Sequence, residues 1–408
     1  MTPTVFHIDV NSAFLSWTSV ENLKNGTGPD LRDIPAIIGG DRESRHGIVL
    51  AKSISAKKYG IYTSEPVVSA LKKCPNLVIF PPDHKMYHQY SRMLMDYLHE
   101  LTPDIEQVSI DECYLDFTGI AHRYESPLQA AREIKDTVFE KFGFTVNVGI
   151  SVNKLLAKMA SDFEKPNKVH TLWPEEIPRK LWPLPVEELP MAGRASSQTL
   201  KKLGIRTIGD LANMDVNLLI SHLKSHGRLL WEFANGIDDR PIESVPAKAK
   251  GIGNSTTLSR DARTFEDARP ILRTLSDSVG GRLRKAGQLA GSISVEIKYS
   301  SFISTSHQMP LKPPANSNDA IYQAALELFS QLWNGEPIRL LGVRTTHLCD
   351  VGEPVQMNLF DMDWASLSSA KASLRQSGQT EKQKKLDAAL DQIRQRYGAG
   401  SVKRGSDM

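Results

Sequence analysis

The sequence predicts an α+β fold spread over several domains, and three observations lead there. At 408 residues the chain is too long for one hydrophobic core. Its first half alternates short apolar strands with amphipathic helices in the order β…α-β-β-α-β, the split βαβ or ferredoxin-like arrangement. Its second half passes from short glycine-punctuated helices, through a polar stretch, to a further group of helices and strands.

Taken in order, Thr4 to Val10 is a short apolar-rich strand, and Ile48 to Ser53 and Leu77 to Phe80 read as further strands. Between Met86 and Leu101, the residues Tyr90, Leu94, Tyr97, Leu98 and Leu101 recur at helical spacing. A strand at about 105–109, a turn and a strand at about 112–118 come next. The following helix opens at Ser126-Pro127, an N-cap with proline at the first helical position, and Thr145 to Ser151 closes the series as a strand. The stretch between Asn11 and about Asn76 reads as a separate small subdomain.

From Leu184 to about Arg240, the segments Leu189 to Arg194, Ser196 to Leu203 and Gly204 to Leu211 resemble a helix-hairpin-helix unit. Such a unit offers backbone N–H groups to a nucleic-acid phosphate without reading bases. The first glycine expected in the hairpin is Met191 here. Pro241 to Lys250 holds two prolines and two lysines and reads as an interdomain linker. Helices at about 266–287 and 317–333 and strands at about 291–299, 302–309 and 338–348 then make an α+β domain from Ile252 to Cys349. A weakly amphipathic helix, about Glu381 to Tyr397, lies in the tail.

Composition is that of a globular protein, 40% hydrophobic and 24% charged, and a net charge of +3 excludes a polycationic coat for nucleic acid. Cys74, Cys113 and Cys349 share no metal-like spacing and are too few for a disulfide framework, so a reducing cytosol and a cytoplasmic location are expected. No basic-then-apolar leader is seen and no apolar run approaches the ~20 residues that span a bilayer, so no membrane role is expected.

Chemistry concentrates in Ser109-Ile110-Asp111-Glu112 and in Asp9 at the end of the first strand. A regular strand would point Asp111 and Glu112 to opposite faces. A tight hairpin turn at 109–112, beside the C-terminal end of the first strand, is therefore predicted. Three carboxylates so gathered suit hard cations. Mg²⁺ takes one or two carboxylates plus substrate phosphate oxygens, and two ions about 4 Å apart stabilise both oxygens of an in-line phosphoryl displacement. Alone, the tetrapeptide reads better as a solvated turn, where Asp-Glu pairs are common. His7 abuts Asp9 without a partner set and reads as a packed strand residue; Cys113 reads as a small buried side chain.

The neighbouring segments carry a resemblance. They are His7-Ile8-Asp9-Val10-Asn11, Gly39-Gly40-Asp41-Arg42, Ser109-Ile110-Asp111-Glu112-Cys113-Tyr114-Leu115-Asp116 and Gly149-Ile150-Ser151. Asn153-Lys154-Leu155-Leu156-Ala157-Lys158, Lys165-Pro166-Asn167, and Gly227-Arg228-Leu229-Leu230-Trp231 ahead of Gly236-Ile237-Asp238 extend it. From about Phe6 to Phe360 the chain resembles the Y-family of DNA polymerases, the translesion enzymes, most closely their bacterial DNA polymerase IV (DinB-type) branch.

The resemblance implies a catalytic ferredoxin-like palm (1–10 and 77–170), small fingers (11–76) and a helical helix-hairpin-helix thumb (171–240). A linker (241–250), an α+β little finger (251–350) and a tail with a clamp-binding peptide (351–408) complete it. It implies a monomeric, template-directed, low-fidelity polymerase that adds dNTPs to the primer of primer–template DNA, using two Mg²⁺ per active site. Asp9, Asp111 and Glu112 become the catalytic carboxylates and, with the Val10 carbonyl, the metal ligands. Phe14 matches the steric gate, a ring that leaves no room for a 2′-hydroxyl. Lys165 and Lys57 match the triphosphate contacts.

Three departures stand out. Where many relatives have Tyr-x-Ala-Arg, this chain has Ile54-Ser55-Ala56-Lys57, which removes the aromatic ring and turns a planar fork into a point charge. Asn11 stands where close relatives often have aspartate, so it adds no fourth anionic ligand. Gln356-Met357-Asn358-Leu359-Phe360 resembles the bacterial sliding-clamp-binding peptide, with Gln356, Leu359 and Phe360 as its anchors, yet 48 residues follow it. Small residues in the fingers (Gly39, Gly40, Ala51, Ser53) suggest a roomy nascent-pair pocket. A non-catalytic DNA-binding protein of the same fold, or a metal-dependent nuclease or cyclase on a similar palm, are the other readings that the carboxylates alone leave open.

Overall fold

The computed structural model describes residues 3–40, 47–352, 370–398 and 401–402. Asp41 and Arg42, and the clamp-like anchors Gln356, Leu359 and Phe360, lie outside them. The chain divides into two compact units, Met1–Pro246 and Ala247–Met408, a division that falls inside the polar stretch 241–250.

The first unit is built on a five-stranded sheet in the order β5-β6-β1-β7-β8: β1 Val5–Val10, β5 Ile105–Gln107, β6 Glu112–Asp116, β7 Val146–Ser151 and β8 Val169–Thr171. The neighbours β5, β6, β1 and β7 are antiparallel, the ferredoxin-like order, and β8 adds a parallel edge. Helices α1 (Ala13–Asn25), α4 (His84–Leu101) and α5 (Pro127–Phe142) share its core, where Phe6, Ile8, Trp17, Leu94 and Ile134 are buried together. The N-cap at Ser126 is as the sequence suggests, its Oγ accepting from the Gln129 N–H, and Asp83 caps α4 through the Met86 N–H, which starts that helix two residues before Met86.

The stretch between Asn11 and Asn76 is less separate than the sequence suggests. Its first helix, α1, buries Leu15 and Trp17 in the main core, because an apolar helix directly after β1 can fold straight back onto the sheet. A second core holds Ile37, Val49, Val67 and Leu77. It covers a three-stranded sheet ordered β3-β2-β4, with β2 Ala36–Gly39, β3 Val49–Lys52 and β4 Val78–Phe80. The short helices α2 (Ile54–Lys57) and α3 (Val67–Lys73) follow β3. Leu77 and β4, which the sequence reading gave to the larger domain, belong to this smaller sheet.

Helix α6 (Lys154–Asp162) lies directly on β7, and the contact depends on Gly149. A Cβ there would meet the backbone carbonyl oxygen of Ala157 at 2.0 Å and the nitrogen of Ser161 at 2.4 Å. Five short helices follow: α7 Ile177–Lys180, α8 Arg194–Lys202, α9 Ile208–Ala212, α10 Val216–Leu223 and α11 Ser225–Ala234. In the hairpin before α8, Met191 has φ 69°, a left-handed conformation that glycine adopts without cost. This is where the sequence lacked the expected glycine.

The second unit is a four-stranded antiparallel sheet, β11-β10-β12-β9, formed by β9 Gly251–Ala262, β10 Gln288–Tyr299, β11 Ser304–Ala315 and β12 Ile338–Asp350. Its core joins the sheet to α12 (Phe265–Lys285) and α13 (Asn318–Leu332). The last helix, α14 (Ala370–Tyr397), is held to it by Arg284–Asp391 at 2.8 Å and Arg394–Asp277 at 2.7 Å.

Gly149→Ala is expected to cost about 2–3 kcal/mol, since the new methyl meets backbone rather than a side chain that can swing away. The urea midpoint of the variant measures this; an unchanged midpoint would mean that α6 can leave β7 freely.

Candidate active site

Strand register brings the carboxylates together. Asp9 lies directly opposite Glu112 in the β1–β6 ladder, so both side chains project from one face. The chain reverses just before Glu112: the Val108 and Ser109 N–H groups both donate to the Glu112 carbonyl, at 3.1 and 3.3 Å. Asp111 sits in that turn, where strand alternation does not apply, and its carbonyl accepts from the Val10 N–H at 3.0 Å. Ser109 Oγ donates to Asp111 Oδ1 at 2.6 Å.

Each strand carboxylate is matched by a cation of the chain. Lys165 Nζ binds Asp9 Oδ2 at 2.5 Å, and Lys158 Nζ binds Glu112 Oε2 at 2.7 Å. His7 is buried; its Nε2 lies 3.2 Å from the same Glu112 oxygen and its Nδ1 lies 2.7 Å from Ser161 Oγ. The His7 hydrogen bond, with Lys158 beside it, holds the Glu112 carboxyl down at about 2 against the opposing effect of burial. Burial, with a contribution from Asp111, raises the Asp9 carboxyl above its ordinary value despite Lys165 and His7. Among the described residues, no three His, Cys, Asp or Glu side chains are gathered tightly enough to hold a metal ion, and Asp9 and Glu112 are each paired with a lysine. The donor chemistry nonetheless fits a hard cation: oxygen ligands only, two facing across a ladder and a third in the adjoining turn.

One cleft of about 470 Å³ unites most of the sequence-predicted residues. Asp9, Val10, Phe14, Lys57, Asp111 and Lys165 all line it. Glu112, opposite Asp9 in the ladder, is not among the residues that line it. Phe14 stacks on Tyr87 with ring centres 4.4 Å apart and planes within 5°, and the Tyr87 hydroxyl is hydrogen-bonded to Thr18 at 3.0 Å. Of the small residues proposed to enlarge the pocket, Ala51 and Ser53 line the cleft. Gly39 does not serve that role: a Cβ there would press on Val67 at 3.0 Å and on the Ile48 carbonyl at 3.2 Å, so it is a packing glycine.

The loop bearing Lys165 is fixed by two buried asparagines. Asn11 Nδ2 donates to Asn147 Oδ1 at 3.0 Å, and Asn11 Oδ1 accepts from the Asn167 N–H at 2.9 Å. Asn147 Nδ2 donates to the carbonyls of Ser161 and Glu164 at 2.9 and 2.7 Å. Asn11, noted above only for the charge it lacks, is thus an anchor of the site.

Sequence reasoning missed His7, Lys158 and Asn147 as site residues, and also Lys52, which lines the cleft at the end of β3. His7 did carry a signal: two residues before Asp9, it lies on the same face of β1. The others depend on contacts across long sequence separations.

Residues 8–162 match the impB/mucB/samB family, and residues 249–359 match the C-terminal domain of that family. The DNA polymerase IV of Clostridium acetobutylicum is 47% identical over 99% of this chain and 98% of its own. That of Clostridium kluyveri is 37% identical over 98% of this chain and 97% of its own. A solved Y-family DNA polymerase chimera aligns with a TM-score of 0.74 at 25% identity, covering 85% of this chain and 99% of its own.

The low Glu112 value fixes a pH dependence. Its folded-state pKa, about 2, lies below the ordinary 4.5, so its contribution to stability is complete above about 4.5 and is lost as pH falls toward 2. In metal-free buffer, Glu112→Gln is expected to flatten the acid limb of the stability profile over that window. Identical acid limbs for variant and parent would contradict the assignment.

Proposed function

The chain belongs to the Y-family of DNA polymerases, in the bacterial DNA polymerase IV branch, and is a DNA-directed DNA polymerase; we propose that the cleft between Asp9 and Lys57 is where it joins an incoming dNTP to a primer 3′ end. The observation that carries this reading is the meeting of acidic, aromatic and cationic residues on one cleft. Asp9 and Asp111 face the same space as Phe14, Lys57 and Lys165. That is the set an anionic nucleotide and a metal-assisted phosphoryl transfer require.

Asp9, Asp111 and Glu112, with the Val10 carbonyl, are the donors we assign to two Mg²⁺ ions. When bound, these supply a lowered pKa at the primer hydroxyl and neutralisation of the triphosphate. The chain's own residues do the rest. His7 and Lys158 hold Glu112 ionised and fixed. Lys165 balances the buried Asp9 charge in the free enzyme, and its ammonium is the group we assign to the triphosphate once Asp9 engages a cation. The asparagine pair keeps the Lys165 loop in place through that exchange. Lys57 approaches the same space from α2, the short helix after β3. Phe14, backed by Tyr87, presents a ring that cannot retreat, so a ribose 2′-hydroxyl would meet it by overlap. The small side chains of Ala51 and Ser53 leave room for poorly shaped pairs, which supports low-fidelity synthesis past damaged bases.

We assign the five-stranded sheet to the palm, the smaller sheet to the fingers, the helices from α7 to α11 to the thumb and the second unit to the little finger. A polar cleft of about 820 Å³ in that unit, lined by Arg282, Arg344 and Asn254 among others, supports contact with the primer–template backbone. Gln356, Leu359 and Phe360 are the residues we assign, from sequence, to the sliding clamp, and we expect the enzyme to act as a monomer in the cytoplasm. Among the described residues no helix is long and apolar enough to cross a membrane.

Incubation with primed template, Mg²⁺ and dNTPs tests the reading: extension supports it, while binding alone or degradation of the DNA would replace it. Asp111→Ala is expected to abolish extension and leave DNA binding largely intact; extension at the parent's rate would remove Asp111 from the site. Phe14→Ala is expected to raise ribonucleotide incorporation strongly, and an unchanged preference for deoxynucleotides would place the gate elsewhere.

A further inference from the structure

We propose that Lys52 is a second cationic contact from the fingers to the triphosphate of the incoming nucleotide, and that it sets nucleotide affinity. The inference rests on the polymerase reading above and adds a residue to it.

The cleft has two unlike sides. One carries Asp9 and Asp111, which repel a polyanion unless a metal intervenes, together with Lys165, already paired to Asp9. The other is made by the end of β3 and by α2, and there the charged residues that line it are basic. Lys52 closes β3, Lys57 closes α2, and Ser53 between them caps the short helix by accepting from the Ala56 N–H. Both lysines line the cleft. Among the described residues neither has a carboxylate within ion-pair distance. Glu65, the carboxylate whose field reaches Lys52, is already bound by Lys73 at 2.8 Å and by the Tyr62 N–H at 2.8 Å. The ammonium of Lys52 makes one long hydrogen bond, to Thr63 Oγ1 at 3.4 Å, and Thr63 lines the cleft as well.

Two ammonium groups facing one space repel each other, and burial with the Lys57 charge holds Lys52 below the ordinary lysine value. A fold keeps such a pair when an anion comes between its members. The triphosphate is the anion that the cleft is shaped to receive, with the carboxylate side reserved for its reacting end. Lys57 alone offers a single point charge, and Ile54 offers no donor at all. Lys52 supplies the second charge from the preceding strand, whose position is fixed by its ladder with β2.

The test uses the full-length protein on primed template with a chain-terminated primer, comparing dATP with dAMP opposite template thymine. Lys52→Met removes the charge and keeps the aliphatic stem; Lys52→Arg keeps the charge. Lys52→Met is expected to weaken dATP binding about tenfold, the worth of one charge-assisted hydrogen bond. Its dAMP affinity and melting temperature should match the parent, and Lys52→Arg should stay close to the parent throughout. With an extendable primer, the same variant should raise KM for dATP with little change in kcat. Parental dATP affinity in Lys52→Met would overturn the proposal, as would equal losses for dATP and dAMP. Those failures leave the polymerase reading intact if the parent extends primers, whereas a parent that neither binds dNTPs nor extends primers would end both.

Discussion

Two carboxylates facing each other across an antiparallel ladder are the constraint around which the first unit is arranged. Directly opposed side chains on one face stand about 5 Å apart, and like charges at that spacing repel. The fold answers with two ammonium groups brought from one place, Lys158 from α6 and Lys165 from the loop that follows it, while His7 hydrogen-bonds both Glu112 and Ser161 of α6. Gly149 lets α6 approach the sheet closely enough for this to happen. The absence of a side chain at that position and the acidity of the cleft are therefore parts of one arrangement.

On the assignment proposed above, the same compensation would serve the ligands of the cleft. A cation engaging Asp9 would take the place of the Lys165 ammonium on the same oxygen, and would leave that lysine for phosphate. In the free protein the pair spares Asp9 an unbalanced buried charge.

Much of this could be read from the sequence because the signals were local. The turn at 109–112 followed from the need to aim Asp111 and Glu112 at one place, and the cap at Ser126 is short-range chemistry. Strand β9 escaped notice because Gly251-Ile252-Gly253-Asn254-Ser255 has no apolar alternation; its order comes from pairing with β12. Strand β2 is short and fully buried, a run too brief to separate from a helix by periodicity. The role of His7, the packing of α1 into the main core and the asparagine pair depend on partners far along the chain. No window of sequence contains both halves of those contacts.

The amide pair at positions 11 and 147 also constrains which residue position 11 can hold. An aspartate at 11 would accept from Asn167 as Asn11 does, but it would turn an oxygen toward Asn147 Oδ1, where Asn11 now offers a donor. Asn147 cannot simply rotate its amide in reply, because its own Nδ2 is committed to Ser161 and Glu164. An aspartate at position 11 would therefore fit this arrangement only beside a different partner at position 147 in β7.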